Sequence, residues 1–254
     1  MALGFIGTGA ISEAIVVGLC TCGNFHESIL LSRRSEERST ALAGRFSNIE
    51  VVDSNQSIVD RCEQVMIGVL PGQIEEVLAS LTFSEHHRVV SLVAGVSLEQ
   101  LRTMVDPATQ YFRAIPMPPI EYGLGPTPLC PPDEQLEELF NSIGNAVPLD
   151  DEMLFSVFAS SSASMATFFD LIANIADWME VEGASPDQAA LYTTSMMHAL
   201  AALTTKVDAE NLQLMSQACL TPGGLNEQVL LGCQNENWTG TLRQQLDQIM
   251  LRLT

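Results

Sequence analysis

The first 115 residues alternate short apolar runs with amphipathic stretches. The runs predict strands over Ala2–Ile6, Ser28–Leu31, Glu50–Val52, Val65–Val69, Arg88–Val93 and Gln110–Ile115. The stretches between them predict helices near Ile11–Thr21, Glu36–Arg45, Ser57–Arg61, Ile74–Ser80 and Leu98–Met104. The strands are continuously apolar rather than alternating, which is the mark of a parallel sheet covered on both faces. Pro116, Pro118, Pro119, Pro126, Pro128, Pro131 and Pro132 then crowd 17 residues, so no regular element is expected there. Asp133–Ser142 resumes as a helix and Ala146–Leu149 as a last short strand.

After Asp150 the pattern is helical only. Glu152–Glu182 reads as one or two long helices with a soft point at Ser160-Ser161-Ser162. Ser185-Pro186-Asp187 is a helix start, with Ser185 as N-cap and Pro186 in the first turn, and that helix is expected to reach about Val207. Ala209–Ala218 continues as helix, Thr221-Pro222-Gly223-Gly224 is a turn, and helices resume after it. The charge-free stretches Leu154–Phe169 and Gln188–Thr205 hold Ser and Thr and read as core helices rather than membrane spans. So much apolar surface in a helical half packs either within the chain or across a subunit interface.

Composition narrows the partners. The 254 residues carry 11 Lys and Arg against 31 Asp and Glu, a net charge of −20. That excludes a general nucleic-acid or anionic-membrane binder, since both partners are polyanions. Both halves are acidic, so the pair Arg33-Arg34 stands out as a local cationic cluster. Cys20, Cys22, Cys62, Cys130, Cys219 and Cys233 show no metal spacing and no C-x-x-C, and are expected to be reduced thiols in a cytoplasmic protein without metal. No secretory signal is expected, because the N-terminus lacks a basic region.

The strongest chemical signal is Gly7-Thr8-Gly9-Ala10-Ile11-Ser12, which follows a strand and opens a helix. Gly7 permits the tight turn, Gly9 admits a pyrophosphate, and Ser12 is small enough for helix–strand packing. The helix N-terminus offers free N–H groups to the phosphates. Ser32-Arg33-Arg34 ends the second strand where an NAD site places an acid, and a hydroxyl with two guanidinium groups suits the 2′-phosphate of NADPH instead. The other reading of Arg33-Arg34 is a solvated pair at a helix start. Asn55 is expected beside the adenosine, as a helix N-cap, or both. Val69-Leu70-Pro71 and Ala94-Gly95 end strands four and five and are expected to wall the cofactor cleft. No nucleophile motif is present. His26, His86 and His87 are expected in solvated loops, and His198 as a satisfied core histidine.

In order along the chain, these features resemble the pyrroline-5-carboxylate reductase family. The matching segments are Gly4-Phe5-Ile6-Gly7-Thr8-Gly9, Ser32-Arg33-Arg34, Asn55, Val69-Leu70-Pro71, Ser91-Leu92-Val93-Ala94-Gly95-Val96, Arg113-Ala114-Ile115-Pro116-Met117-Pro118-Pro119 and Thr221-Pro222-Gly223-Gly224-Leu225-Asn226. The resemblance implies an α/β, Rossmann-type NADP-binding domain over residues 1–150 and an all-helical dimerisation and substrate domain over 151–254. It implies hydride transfer from NADPH to the C=N carbon of a cyclic imine acid, giving L-proline, in a homodimer or higher homo-oligomer. Gly223, Gly224, Leu225 and Asn226 are expected to hold the substrate carboxylate, with Thr221 and Asn226 as side-chain donors at the reaction site. The departures lie on the substrate side: Leu70 replaces a Lys, Met117 an Asn, Leu225-Asn226 a Thr-Thr, and Ser160–Thr167 lacks the family's Gly, Pro and Tyr. They leave room for a same-scaffold reductase of another imine or keto acid, or for a cofactor-binding protein without turnover. The β-hydroxyacid dehydrogenase relatives need a helix Lys, and Lys206 is the only lysine.

Overall fold

The computed structural model describes residues 2–253, and the chain falls into two compact units that meet in sequence between Phe155 and Ser156. The first is an eight-stranded sheet with helices. Its strands are β1 (Leu3–Ile6), β2 (Ile29–Ser32), β3 (Ile49–Val52), β4 (Gln64–Ile67), β5 (Arg88–Ser91), β6 (Gln110–Ala114), β7 (Pro126–Cys130) and β8 (Asn145–Pro148). Its helices are α1 (Ala10–Thr21), α2 (Glu36–Arg45), α3 (Asn55–Arg61), α4 (Ile74–Ala79), α5 (Leu98–Met104) and α6 (Glu134–Asn141). The strand order is β3-β2-β1-β4-β5-β6-β7-β8, so the direction of winding reverses between β1 and β4. In such sheets the ligand crevice lies beyond the C-terminal ends of the strands at this reversal.

The apolar strand runs are explained by burial on both faces. Phe5 and Leu3 join Ile15, Leu19 and Phe140 in one core, while Ile6, Val65 and Ile67 join Ile58 and Val89 in the other. Helix α3 lies so close to β1 that a Cβ on Gly4 would come within 2.3 Å of Ile58. Side chains cap the helices that begin in open turns. Ser54 and Asp133 accept from Ser57 and Leu136 N–H, and Ser97 with Gln100 closes a capping box on α5.

The proline-rich segment departs from the expectation. It forms β7, which pairs antiparallel with β6 and parallel with β8. A proline inside a central strand removes a ladder donor. Here Pro126 and Pro128 both turn the side that lacks N–H toward β6, which ends at Ala114, and the Pro128 carbonyl still accepts from Ile115 N–H. Thr127 and Leu129 keep the N–H groups that face β8, and Leu129 C=O accepts from Leu149 N–H. The sheet is therefore mixed rather than wholly parallel.

The second unit contains α7 (Leu154–Ser162, beginning just before the boundary), α8 (Met165–Val181), α9 (Pro186–Thr204), α10 (Met215–Ala218), α11 (Leu225–Asn235) and α12 (Trp238–Leu253). Ser185 and Gln188 form the capping box of α9, with Pro186 in its first turn. Residues 209–214, expected as α-helix, form a 3-10 turn. The expected core helices are not core within one chain. Phe168, Phe169, Trp178, Leu191 and Leu200 are exposed, and His198 lies on an exposed face of α9. By length and composition alone, Leu154–Val181 is apolar enough to cross a membrane. It is broken at Ala163-Ser164 and carries Asp170, Asp177 and Glu180.

Candidate active site

The loop after β1 is built by two glycines with different duties. Gly7 has φ of +93°, and a Cβ there would lie 2.7 Å from the Gly68 carbonyl oxygen. The protein's own packing therefore demands glycine at this position. Gly9 has an ordinary φ of −78°, and a Cβ there would meet nothing nearer than 3.5 Å. Nothing in the chain requires glycine at this position, so its missing side chain leaves an open approach to the start of α1. That start has no side-chain cap. The N–H groups of Ala10, Ile11 and Ser12 accordingly open α1 without intrahelical acceptors, and the helix dipole favours negative charge there. Glu13 in the same turn is neutralised by Arg38 at 2.7 Å. An uncapped, sterically open helix start fits a dinucleotide pyrophosphate. Thr8 is fully buried and donates to Ser32 C=O at 3.1 Å.

Ser32 is also buried, and its Oγ accepts from Gly7 N–H at 2.8 Å. It ties the loop to the end of β2 and keeps one hydroxyl proton to donate. Arg33 and Arg34 follow on an exposed 3-10 turn. Arg33 pairs with Asp53 at 3.1 Å and with Glu36 at 3.6 Å, while Arg34 has no ion pair among the described residues. Asp53, at the end of β3, is the acid the sequence reading did not see, because it comes from the neighbouring strand and not from the Ser32-Arg33-Arg34 segment. Asn55 is half-buried in the first turn of α3, and the N-cap is Ser54 rather than Asn55.

The opposite side follows β4 and β5. Val69 reaches the Gly7 turn, and Leu70 is 67% exposed ahead of the short turn that starts at Pro71. Ala94 and Gly95 are exposed, with Gly95 at φ of +80°. Arg113 closes this end of the sheet from β6. Its guanidinium donates to Glu152 at 2.5 Å and stacks 4.4 Å over the Phe155 ring, while the same Glu152 oxygen accepts from Leu98 N–H at 2.7 Å. Arg113 Nε is buried without a hydrogen-bond partner. Arg88 is spent at the far ends of the strands, on Asp133 and Gln110.

The turn before α11 differs from the expected open nest. Gly223 N–H donates to Oε2 of Glu227 at 2.7 Å, and Gly224 N–H donates to Thr221 C=O at 2.7 Å. Asn226 Nδ2 donates to Cys219 C=O at 3.0 Å. Thr221 and Leu225 are exposed. The open donors of this turn are the N–H groups of Leu225, Asn226 and Glu227, as at any helix start.

Burial pushes the Cys62 thiol up to about 11 and raises those of Cys20 and Cys130. These three are poor nucleophiles at neutral pH. His87, expected in solvent, is buried: Nδ1 accepts from Ser84 N–H at 2.8 Å and Nε2 lies 2.9 Å from Val59 C=O. No group of metal ligands occurs among the described residues.

Comparison with known proteins joins the two units. Residues 2–95 match the family described as "NADP oxidoreductase coenzyme F420-dependent", and residues 151–254 match "Pyrroline-5-carboxylate reductase dimerisation". The chain is 29% identical over 180 residues to a pyrroline-5-carboxylate reductase of Haemophilus influenzae, covering 66% of this chain and 65% of that protein. It is 28% identical over 232 residues to the Escherichia coli enzyme of that name, covering 87% of this chain and 86% of that one. The fold matches a pyrroline-5-carboxylate reductase structure from Coxiella burnetii with a TM-score of 0.87 at 22% identity, over 99% of this chain and 96% of that one.

Proposed function

We propose, from the premise that this chain belongs to the pyrroline-5-carboxylate reductase family, that it reduces 1-pyrroline-5-carboxylate to L-proline with NADPH. The observation that carries the reading is the open, uncapped start of α1 behind Gly9, with Arg33 and Arg34 exposed at the end of β2.

When bound, the nicotinamide supplies the hydride, and no protein nucleophile is needed. The N–H groups of Ala10, Ile11 and Ser12 take the pyrophosphate. Arg34 and Arg33 take the 2′-phosphate, for which Arg33 exchanges Asp53. Thr8 holds the loop to Ser32, and Asn55 borders the adenosine side. Val69, Leu70, Pro71, Ala94 and Gly95 form the opposite wall and exclude water. In the second unit, the start of α11 orients the substrate by its carboxylate, with the Thr221 hydroxyl and the Asn226 amide proton not spent on Cys219 C=O as side-chain donors. Orientation by fixed donors is the protein's main contribution to such a step. We assign nucleotide binding to residues 1–150 and substrate binding and homodimerisation to 151–254, in the cytoplasm, where free thiols persist.

The test is direct. Purified protein with NADPH and 1-pyrroline-5-carboxylate should lose absorbance at 340 nm and yield L-proline by mass spectrometry. Cofactor binding without turnover would remove this substrate and favour the exposed Leu70 as the sign of a different imine.

A further inference from the structure

The start of α11 already carries a carboxylate. Glu227 is the third residue of the helix, and its side chain folds back over the turn to Gly223 N–H at 2.7 Å. The other N-terminal boxes of this chain are built differently. In α5 and α9 a Ser caps the helix and a neutral Gln at the third position reaches the cap's own N–H. In α11 the cap is Gly224, with no side chain to give, and the third residue is an acid that reaches one residue further back. Gly223 sits at φ of +71° with no protein atom within 4 Å of a would-be Cβ, so packing does not hold this turn closed. Hydrogen bonds hold it: Gly224 N–H on Thr221 C=O, Asn226 Nδ2 on Cys219 C=O, and the Glu227 carboxylate on Gly223 N–H.

We propose that Glu227 is an internal competitor for the substrate carboxylate and sets how well this enzyme distinguishes a carboxylated imine from a plain one. The inference rests on the reading of the α11 turn as the carboxylate holder. Two carboxylates cannot accept from the same N–H, and like charges at hydrogen-bonding distance repel. An incoming carboxylate either displaces Glu227 or settles on the next donors with a negative charge beside it. Either outcome weakens the carboxylate's hold without touching the imine carbon. The effect belongs to KM for acid substrates and is absent for a ring without the acid group. A family member with this turn works best on concentrated substrate.

The experiment compares the wild type with Glu227→Ala and Glu227→Gln, on 1-pyrroline-5-carboxylate and on 1-pyrroline, which has no carboxylate. Glu227→Ala should lower KM for the acid at least fivefold and leave KM for 1-pyrroline within twofold. Glu227→Gln keeps a neutral oxygen for Gly223 N–H and should fall between. Calorimetric binding of L-proline should tighten in the same order. Thermal melts run alongside show whether the helix survives loss of its cap. Equal shifts for both substrates, or an unchanged or raised KM for the acid in both folded variants, overturn the Glu227 assignment. Absence of turnover in all three proteins overturns the function it rests on.

Discussion

At the scale of single residues, the two glycines of the first loop separate structure from ligand. Gly7→Ala forces a Cβ against the Gly68 backbone at a positive φ, so it should cost about 2–3 kcal/mol of stability and abolish folding or cofactor binding together. Gly9→Ala meets no protein atom closer than 3.5 Å. Its melting temperature should stay within a degree or two, while NADPH binding by fluorescence titration should weaken tenfold or more, about 1.4 kcal/mol. If both variants melt alike and bind alike, the open approach is not the pyrophosphate site. The paired change Arg33→Ala and Arg34→Ala should raise KM for NADPH at least tenfold and that for NADH less than threefold, since guanidinium groups recognise phosphate charge and shape. Equal losses would move the 2′-phosphate elsewhere. The sequence made Gly7, Gly9 and the arginine pair visible because each is a local requirement. It hid Asp53, His87 and the Glu227 contact. Those depend on which strand lies next door, which loop folds inward and how far one side chain reaches back.

At the scale of elements, every strand and helix of the first 115 residues was readable within about two positions, because burial on both faces writes an unbroken apolar run. Strand β7 was not readable. Proline propensity argues against a strand, and only the pairing with β6 and β8 shows that the missing donors face a ladder that has already ended. Elements also meet at Glu152, which joins β6 through Arg113 and the start of α5 through Leu98 N–H. Arg113 is 9% exposed and Glu152 27%. Arg113→Ala would strand that carboxylate and remove the ring contact with Phe155. The expected cost is about 3 kcal/mol, read as a lower urea midpoint at unchanged slope. Arg113→Lys should recover part of it, since a lysine keeps the charge but loses the planar stack. A variant as stable as the wild type would show that Glu152 finds other partners.

At the scale of the whole molecule, the helical unit presents Phe169, Trp178, Leu191 and Val229 to solvent, each more than 60% exposed. Apolar surface of this extent marks an interface, and residues 151–254 match the family described as "Pyrroline-5-carboxylate reductase dimerisation", which supports association between copies of this chain. Phe169→Asp with Trp178→Asp should shift the light-scattering mass from a multiple to a single chain of 27.5 kDa. A mass that stays oligomeric would place the contact on other helices. The sequence showed the apolar content of this half and left its cover open between the same chain and a second subunit, because a hydrophobic periodicity does not reveal to which chain the covering surface belongs. With 12 acids and three basic residues in this half, association also brings like charges together. Added salt should therefore tighten the oligomer rather than loosen it.

The helices of this half bury little within their own chain: Ala189 and Thr193 are the residues of α9 buried there. Their folding is then governed by mass action. Each tenfold dilution removes about 1.4 kcal/mol from the assembled state, so the melting temperature should climb with protein concentration. The first unit, with its two internal cores, has no such dependence. A cell that makes little of this protein would hold a sheet unit that is folded and a helical half that is not. The proposed activity, if it needs the folded helical half, should then rise faster than linearly with protein concentration in a dilution series of the assay.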